Sequence, residues 1–252
     1  MDIIDLTSST DNDDLIVIQS HPKYKHIKKS NYKLIGGIKT TDLNFIESHE
    51  CYCVSKCGSR CVNRLLQIEC LSKKRSFDSN CAIGCACSNR NFTNREYISL
   101  DICHEPSRGY SLRTVTSIHA GSFVIEYVGE VINTETMNCR MLQQRVQSPD
   151  DLAFYIMALE NGLFIDSKLK GNESRFINHS CDPNCRLERW NVQGRTHIGI
   201  FAIRNIEAED FLSYDYRLET PEESIFGCEC SSINCRGTLA YSQLVLNKKR
   251  KM

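Results

Sequence analysis

Short runs rich in β-branched and aromatic residues follow one another along the chain from about residue 97. Residues 122–132 predict two paired strands with a turn near Gly129. Residues 152–159 and 163–165 predict a hairpin, because the intervening Asn-Gly at 161–162 tolerates the positive φ angles of a tight turn. The body of the chain is therefore predicted to be mainly β. Further strands are expected at 195–203 and 211–216.

One substantial helix interrupts this pattern. It is predicted over residues 135–147, with Thr134 as its N-terminal cap. Apolar side chains recur there near helical spacing, which predicts a face that packs on the body. These side chains are Met137, Met141, Leu142 and Val146.

Formal charge is balanced overall but unevenly distributed. The 252 residues include 31 basic and 31 acidic side chains, and 41% are hydrophobic, as in an ordinary globular protein. Residues 1–14 are acidic, whereas 21–33 and 248–251 are basic. These basic segments are expected to be solvated tails; the alternative is that they contact phosphate or serve as a nuclear address. The zero net charge argues against bulk attraction to nucleic acid.

The N-terminal residues indicate neither secretion nor a membrane partner. No basic region precedes an apolar stretch there, and no apolar run in the chain is long enough to span a bilayer. Two β-prone clusters, at 3–6 and 15–18, are flanked by acidic and hydroxyl residues. They resemble a SUMO-interacting motif, which adds a strand to the sheet edge of its partner. A floppy tail, or a strand docked on its own domain, is the competing interpretation.

Cysteines are the most unusual feature of the composition. Of 15 cysteines, eight fall within residues 51–87 and three within 228–235. In a reducing compartment this density indicates structural zinc, which four thiolates can hold, rather than disulfides. Eight cysteines could fill two separate sites, and seven would suffice if one sulfur bridges two ions. The second group needs a fourth ligand, for which Cys181 is the candidate and Cys185 the rival.

Two further stretches carry chemistry, and their sequences are RFINHSCDPNC at 175–185 and SYDY at 213–216. Together they resemble the two central motifs of SET-domain lysine methyltransferases. Residues 126–130, EYVGE, resemble an early strand motif of that family, and GYS at 109–111 stands where the family usually has Gly-Trp-Gly. The cysteine-rich segment before the body resembles the AWS domain, and residues 228–237 resemble the post-SET domain.

This resemblance covers about residues 45–240 and implies the fold. We expect a mainly β protein with few helices, in which the small curved β-sheets of a SET fold surround a knot-like crossing near Asn178–Cys181. Zinc-binding AWS and post-SET modules should flank that fold. The expected segments are an N-terminal tail with a basic segment at 1–43, the AWS module at 46–96, the SET domain at 98–215, the post-SET module at 224–240 and a basic tail at 241–252.

The implied activity is methyl transfer from S-adenosyl-L-methionine to a protein lysine. An AWS module, together with residues 24–28, which are similar to the Ash subgroup, implies lysine 36 of histone H3 within nucleosomes. Mono- or dimethyl products and a nuclear, chromatin-bound location are expected. Three other interpretations stay open. They are a catalytically weak SET-fold chromatin scaffold, a methyltransferase for a different histone or non-histone lysine, and a zinc-stapled nucleic-acid module.

Lysine methylation needs a neutral amine, although a free lysine with a pKa of about 10.4 is protonated at neutral pH. A narrow apolar channel disfavours the ammonium form, and flat tyrosine walls suit the lysine stem. By motif position Tyr216 is the expected catalytic tyrosine, and Tyr155 is another channel tyrosine. Tyr214 matches the position that tunes how many methyl groups fit. Any one of these residues, taken alone, could instead be strand packing.

The resemblance also implies the cofactor and metal contacts. Asn178 and His179 match cofactor contacts made largely through backbone groups, while Arg175 is expected to support the site. The expected cofactor set is Arg108, Gly109, Tyr110, Phe154, Tyr155, Arg175, Asn178, His179 and Tyr216. The expected ligands of about three zinc ions are Cys51, Cys53, Cys57, Cys61, Cys70, Cys81, Cys87, Cys181, Cys228, Cys230 and Cys235.

Several positions depart from the family pattern or add to it. Ser111 replaces the usual second glycine, and Tyr110 replaces a tryptophan while keeping an aromatic face. Cys85 is an extra cysteine beside the usual seven, among which Cys57 is the expected bridge. The acidic linker 217–227 is expected either to cover the lysine channel until a nucleosome displaces it or to pair with a basic histone tail.

Overall fold

A computed structural model of the chain describes residues 24–35, 51–54, 56–70, 87–106, 108–149, 151, 153–218 and 227–240. The predictions made for the two termini, for Cys81 and Cys85, and for most of the acidic linker lie outside these residues. Within them no helix is long and apolar enough to cross a membrane.

The described residues are mainly β, which confirms the predicted fold class. The strands are β1 Lys25–His26, β2 Asn31–Ile35, β3 Leu100–Glu105, β4 Gly109–Thr114, β5 Phe123–Tyr127, β6 Glu130–Asn133, β7 Ile156–Ala158, β8 Leu163–Asp166, β9 Lys170–Gly171, β10 Asn178–His179, β11 Cys185–Val192, β12 Arg195–Ala202 and β13 Ser213–Tyr214. The helices are α1 Val62–Leu65, α2 Asn91–Asn94, α3 Thr134–Gln147 and a 3-10 helix at Glu173–Phe176.

A long antiparallel hairpin forms the centre of the largest core. Strands β11 and β12 pair from Cys185↔Ala202 to Val192↔Arg195, and β12 pairs on its other edge with β5. The prediction of a strand at 195–203 is thus confirmed, whereas β11 was not predicted. Ile125, Ile198 and Ile200 of this sheet are buried in the main apolar core.

The pair of strands predicted over 122–132 forms, but its two members do not pair with each other. Strand β5 joins β12, while β6 joins β8 and β2 in a second sheet. The chain changes sheets at Gly129, where an added Cβ would collide with the backbone carbonyl of Asp166. Only glycine permits this close approach, so the turn leads from one sheet to the next instead of closing a hairpin.

The hairpin predicted around 161–162 is confirmed. Asn161 and Gly162 have φ angles of 48° and 71°, which suit a tight turn between β7 and β8. Its first strand begins at Ile156, later than expected, and the strand predicted over 211–216 is limited to Ser213–Tyr214.

Helix α3 lies where it was predicted, but two details of the prediction were wrong. Its cap is Asn133, whose side chain accepts from the backbone N–H of Thr136, while the Thr134 hydroxyl donates to the Gly162 carbonyl at 3.1 Å. Leu142 and Val146 are 64% and 75% exposed, so they form no packed face. The helix is held by polar contacts instead. These include the pairing of Arg140 with Glu130 and Asp166, and a bond from the Gln144 amide to the Asp151 carbonyl.

Parallel pairings between distant segments bring the candidate motifs together. Strand β10 pairs with β13 through Asn178↔Ser213 and His179↔Tyr214. The segment near the start of the described chain adds two more strands, because β1 pairs with β9 and β2 pairs with β6. The two central motifs of the sequence are therefore neighbours in space.

Candidate active site and metal-binding clusters

Four tyrosines meet beside the β10–β13 pairing. The rings of Tyr214 and Tyr216 lie 5.0 Å apart, and Tyr216 donates its hydroxyl proton to the Ile177 carbonyl at 2.9 Å. Tyr127, at the end of β5, donates to the backbone carbonyl of Tyr155 at 3.0 Å. The structure thus brings together the three predicted channel tyrosines and adds Tyr127 to them.

Two members of this cluster, Tyr127 and Tyr214, are buried, and Tyr155 and Tyr216 are half-buried. Burial raises the pKa of Tyr127, Tyr214 and Tyr216, and neighbouring tyrosines raise the last two further. Their hydroxyls therefore stay neutral at physiological pH, and a charged group brought among them would lose most of its hydration.

Arg175 lies against this cluster from the 3-10 helix. It is only 5% exposed, and its guanidinium carbon lies 3.8 Å from the centre of the Tyr155 ring. Its Nη1 donates to the Lys168 carbonyl at 3.0 Å. This cation–π arrangement fixes the plane of the Tyr155 ring.

His179 connects the tyrosine cluster to a cysteine cluster. Its Nδ1 accepts the backbone N–H of Tyr216 at 3.1 Å, and its Nε2 lies 3.3 Å from Cys181 Sγ. Burial lowers the pKa of His179, although Asp215, at 3.6 Å, opposes that shift. The imidazole therefore holds the backbone of Tyr216 in place.

A second polar group surrounds the start of β4. The amide nitrogen of Asn178 donates to the Tyr110 carbonyl at 3.1 Å and to the Ser111 hydroxyl at 2.6 Å. That hydroxyl donates in turn to Glu105, which also pairs with Arg108 at 2.8 Å. Ser111 is 1% exposed, so its hydroxyl is a buried member of this hydrogen-bonded group and not a substitution at the protein surface.

The predicted cofactor residues at the edge of this group occupy accessible positions. Gly109 has a φ angle of 71°, and apart from its chain neighbours no atom of the described residues lies within 4 Å of the place where its Cβ would be. Tyr110 is half-buried between the His104 ring, 5.1 Å away, and the Phe176 ring, 5.8 Å away. Phe154 is half-buried next to Tyr155.

The cysteines gather in three groups that could hold metal ions. Within each group the sulfur atoms lie within 4.8 Å of one another. Zinc–sulfur bonds of about 2.3 Å in a tetrahedron place the sulfurs about 3.8 Å apart, so these groups have the size of zinc sites. Cys57 belongs to two groups, as a bridging ligand would. The groups are Cys51, Cys53, Cys57 and Cys61; Cys57, Cys70 and Cys87; and Cys181, Cys228, Cys230 and Cys235.

The geometry of the third group distinguishes Cys181 from Cys185 as its fourth ligand. Cys181 lies 3.8 Å from Cys228 Sγ, whereas Cys185 is buried in strand β11 and belongs to no such group among the described residues. Arg236, next to Cys235, forms two bonds of 2.7 and 2.8 Å with the carboxylate of Asp215. This cysteine group is therefore joined to Asp215, the residue between strand β13 and Tyr216.

Sequence reasoning missed two members of the site. Tyr127 stands in the EYVGE stretch, but its role depends on contact with Tyr155, 28 positions away. Glu105 ends β3 with no motif around it, and only the β3–β4 pairing places it beside Ser111. The available signal for Tyr127 was its place in the family-like stretch, whereas Glu105 had none.

Comparison with known proteins identifies what the chain is similar to. The SET domain family matches residues 109–217. A mouse protein described as "Histone-lysine N-methyltransferase, H3 lysine-36 specific" is 38% identical over 224 residues, which are 86% of this chain and 8% of that protein. The Arabidopsis thaliana protein "Histone-lysine N-methyltransferase ASHR3" is 35% identical over 233 residues, 90% of this chain and 42% of that protein.

This chain thus spans less than half the length of either relative. A solved structure described as "ctPRC2 in an autoinhibited conformation bound to S-adenosylmethionine" is 28% identical, with a TM-score of 0.47 over 50% of this chain and 16% of that one.

Proposed function

This chain belongs to the SET-domain family, and from that premise we propose that it is an S-adenosyl-L-methionine-dependent protein-lysine N-methyltransferase. The favoured substrate is lysine 36 of histone H3 within nucleosomes, and the site of action is chromatin in the nucleus. Relatives described as specific for H3 lysine 36, from mouse and from Mycosarcoma maydis, support this choice at 38% and 39% identity.

The observation that carries the proposal is the buried tyrosine cluster next to the polar group of Asn178. Tyr127, Tyr155, Tyr214 and Tyr216 offer flat apolar walls. Burial raises the pKa of Tyr127, Tyr214 and Tyr216, so these three hydroxyls are neutral and are not nucleophiles at physiological pH. Such a setting suits transfer of a group directly to an amine, which needs desolvation and orientation rather than covalent catalysis.

The residues beside the cluster fit the cofactor. The open space at Gly109 permits close approach of a ligand to the backbone, and Tyr110 presents a half-buried aromatic face. The Asn178 amide is held by its nitrogen, which leaves its oxygen as an acceptor for an ammonium group. When bound there, S-adenosyl-L-methionine would supply an electrophilic methyl group on a positively charged sulfur.

The chain's own residues would then prepare the substrate. Burial among Tyr127, Tyr214 and Tyr216 disfavours the ammonium form of an entering lysine, so the amine loses its proton to solvent before reaction. The Tyr216 hydroxyl donates a hydrogen bond to the Ile177 carbonyl. The lone pairs of the hydroxyl oxygen therefore remain available to orient the amine or to accept weak C–H contacts from the methyl group. Arg175 keeps the Tyr155 wall in its plane.

Mass spectrometry of nucleosomes incubated with the enzyme and labelled cofactor tests this proposal. We expect label on H3 lysine 36, and we expect Tyr216→Phe to lower turnover by about 100-fold in a protein that still folds. Its melting temperature should fall by several degrees, because the Ile177 carbonyl loses its donor. Label on another lysine would replace the proposed substrate. Cofactor binding without transfer would favour a scaffold, and absence of both would contradict the proposal.

We further propose that Tyr214 limits the product to mono- or dimethyl-lysine. It is 6% exposed, and its ring centre lies 5.0 Å from that of Tyr216, so its hydroxyl would take up volume beside a lysine amine bound at Tyr216. Tyr214→Phe should shift products toward trimethyl-lysine, as read from the mass of the modified peptide. An unchanged product ratio would contradict this role.

Zinc is proposed for the three cysteine groups, within modules at 46–96 and 224–240. Cys57 would bridge two ions, and Cys81 would complete the second site, although it lies outside the described residues. Inductively coupled plasma mass spectrometry should give about three zinc ions per chain. A value near one would contradict the module assignment.

Contact with nucleosomal DNA is proposed for the basic segment. Lys25, Lys28 and Lys29 are exposed, and phosphate contacts made by such lysines weaken as salt concentration rises. Nucleosome affinity should fall with added salt, and the double variant Lys28→Ala/Lys29→Ala should show a weaker dependence on salt. An affinity independent of salt would contradict the contact.

A SUMO-like partner of the N-terminal tail and a cover over the lysine channel formed by the linker 217–227 remain hypotheses. Equal activity on bare peptide and on nucleosomes would contradict the hypothesis that this linker covers the channel.

A further inference from the structure

The N-terminal strand β1 is joined to the candidate site although it precedes the SET match at 109–217 by many residues. Its backbone donates from Lys25 to the Leu169 carbonyl at 2.8 Å and from Ile27 to the Gly171 carbonyl at 2.7 Å. His26 also pairs with Glu173 at 3.1 Å. These contacts place Tyr24, the residue before β1, over the 3-10 helix at Glu173–Phe176.

Tyr24 closes a stack around a buried cation. The Arg175 guanidinium carbon lies 4.7 Å from the centre of the Tyr24 ring and 3.8 Å from that of Tyr155. Among the residues that the structure describes, no carboxylate forms an ion pair with Arg175, which is 5% exposed. The faces of the two rings therefore replace much of the water that the guanidinium loses on burial.

The same tyrosine contacts the cofactor side of the site. Its ring meets Phe176 edge-on at 5.8 Å, and Phe176 lies 5.8 Å from Tyr110. Tyr24 thus stands at the junction of two paths, one through Arg175 to the lysine-side Tyr155 and one through Phe176 to the cofactor-side Tyr110.

We propose that Tyr24 is a positioning residue of the proposed methyltransferase site, so that the N-terminal segment 24–35 is a working part of that site. The proposal rests on the proposed function. Tyr24 holds Arg175 against Tyr155, and without its ring the guanidinium moves toward solvent and the Tyr155 wall loses its fixed plane. Small misplacements of a reacting group lower rates by factors that reach about 100.

Kinetics of the full chain with nucleosomes, comparing Tyr24→Ala, Tyr24→Phe and Val146→Ala, test the proposal. Val146→Ala is the control, because it truncates to Ala a side chain on α3 that is 75% exposed and belongs neither to the site nor to a cysteine group. We expect Tyr24→Ala to lower kcat by about 10-fold or more and to weaken calorimetric affinity for S-adenosyl-L-methionine, at a temperature where all variants are folded. Tyr24→Phe keeps the ring and should restore both.

Two results would overturn the proposal. One is a lower melting temperature for Tyr24→Ala with unchanged kcat and cofactor affinity, which would make Tyr24 a packing residue only. The other is a Tyr24→Phe variant as defective as Tyr24→Ala, since the ring face would then not be the important feature.

A double-mutant cycle on unfolding separates this inference from the proposed function. Tyr24→Ala and Tyr155→Ala should have non-additive effects on denaturant unfolding, because the two rings share Arg175. If the wild-type chain transfers no methyl group but the cycle is non-additive, the proposed function fails while the coupling stands. If the wild type is active but the effects add, the coupling fails alone.

Discussion

At the scale of the residue, the site depends on buried hydroxyls whose hydrogen bonds are all directed inward. Tyr216 donates to Ile177, Tyr127 donates to Tyr155, and Ser111 connects Asn178 to Glu105. A buried polar group left without its partner costs about 1–3 kcal/mol, so each of these bonds constrains its neighbours. Single-atom substitutions at these hydroxyls should therefore lower the free energy of unfolding by about 1–3 kcal/mol as well as disturb the site.

Ser111→Ala should weaken cofactor binding. The change removes the acceptor of the Asn178 amide and the donor to Glu105, which frees the amide to rotate. The loss of about 1 kcal/mol expected for such a bond corresponds to about 5-fold in dissociation constant, measurable by calorimetry. Ser111→Thr serves as the control that retains the hydroxyl. Equal affinity of Ser111→Ala and wild type would show that the Asn178 amide is fixed by Tyr110 alone.

The raised pKa of Tyr216 predicts the alkaline side of the pH profile. Its ring faces Tyr127, Tyr155, Tyr214 and His179, and burial opposes its ionisation. Turnover should rise with pH as the substrate lysine loses its proton, without a loss from tyrosine ionisation below about pH 10. The free energy of unfolding should fall above about pH 10, where unfolded tyrosines ionise and the buried ones do not. Initial rates and urea unfolding across pH measure both. A decline in turnover with an apparent pKa below about 9, in protein that is still folded, would contradict this prediction.

At the scale of the element, the sequence pattern predicted those strands and turns that are determined by contacts between neighbouring residues. The turn at 161–162 and the strand at 195–203 were found from neighbouring residues alone. Strand β11 was missed, because charged residues interrupt its apolar pattern, and its stability comes from pairing with β12. The site motifs were predicted through their family resemblance. Tyr24 was not, since only long-range pairing of β1 with β9 brings it to the site. Glu105 was not, because nothing in the sequence signalled the β3–β4 hairpin that places it beside Ser111.

Helix α3 offers a test of how polar contacts replace an apolar face. Asn133→Ala should lower the free energy of unfolding by about 1 kcal/mol, because it removes the cap of the Thr136 N–H. Leu142→Ala, at a side chain that is 64% exposed, should change it by less than about 0.5 kcal/mol. Urea denaturation measures both. The reverse order would mean that the outer face of α3 is covered in solution.

At the scale of the whole molecule, cysteine groups connect segments that strands alone would leave apart. The first two groups are joined to β11 at Glu69, whose N–H donates to the Asn191 carbonyl at 2.9 Å. The third joins the C-terminal segment to Cys181, two residues after His179. Both cysteine-rich segments are therefore connected to the central strands, and bound metal should contribute to the geometry of the site as well as to stability.

Cys235→Ser tests whether the third cysteine group supports the tyrosine cluster. Losing this ligand should reduce bound zinc from about three ions to about two. It should also loosen Arg236 from Asp215, which lies between Tyr214 and Tyr216, so cofactor affinity should fall even where the protein remains folded. Cys139→Ser is the matched control, because Cys139 is exposed on α3 and belongs to no cysteine group among the described residues. Metal analysis and calorimetry on the same samples decide the outcome. If the number of bound zinc ions falls by one while cofactor affinity stays constant, the third group serves only to hold the C-terminal segment. The connection through Asp215 to Tyr216 would then not affect cofactor binding.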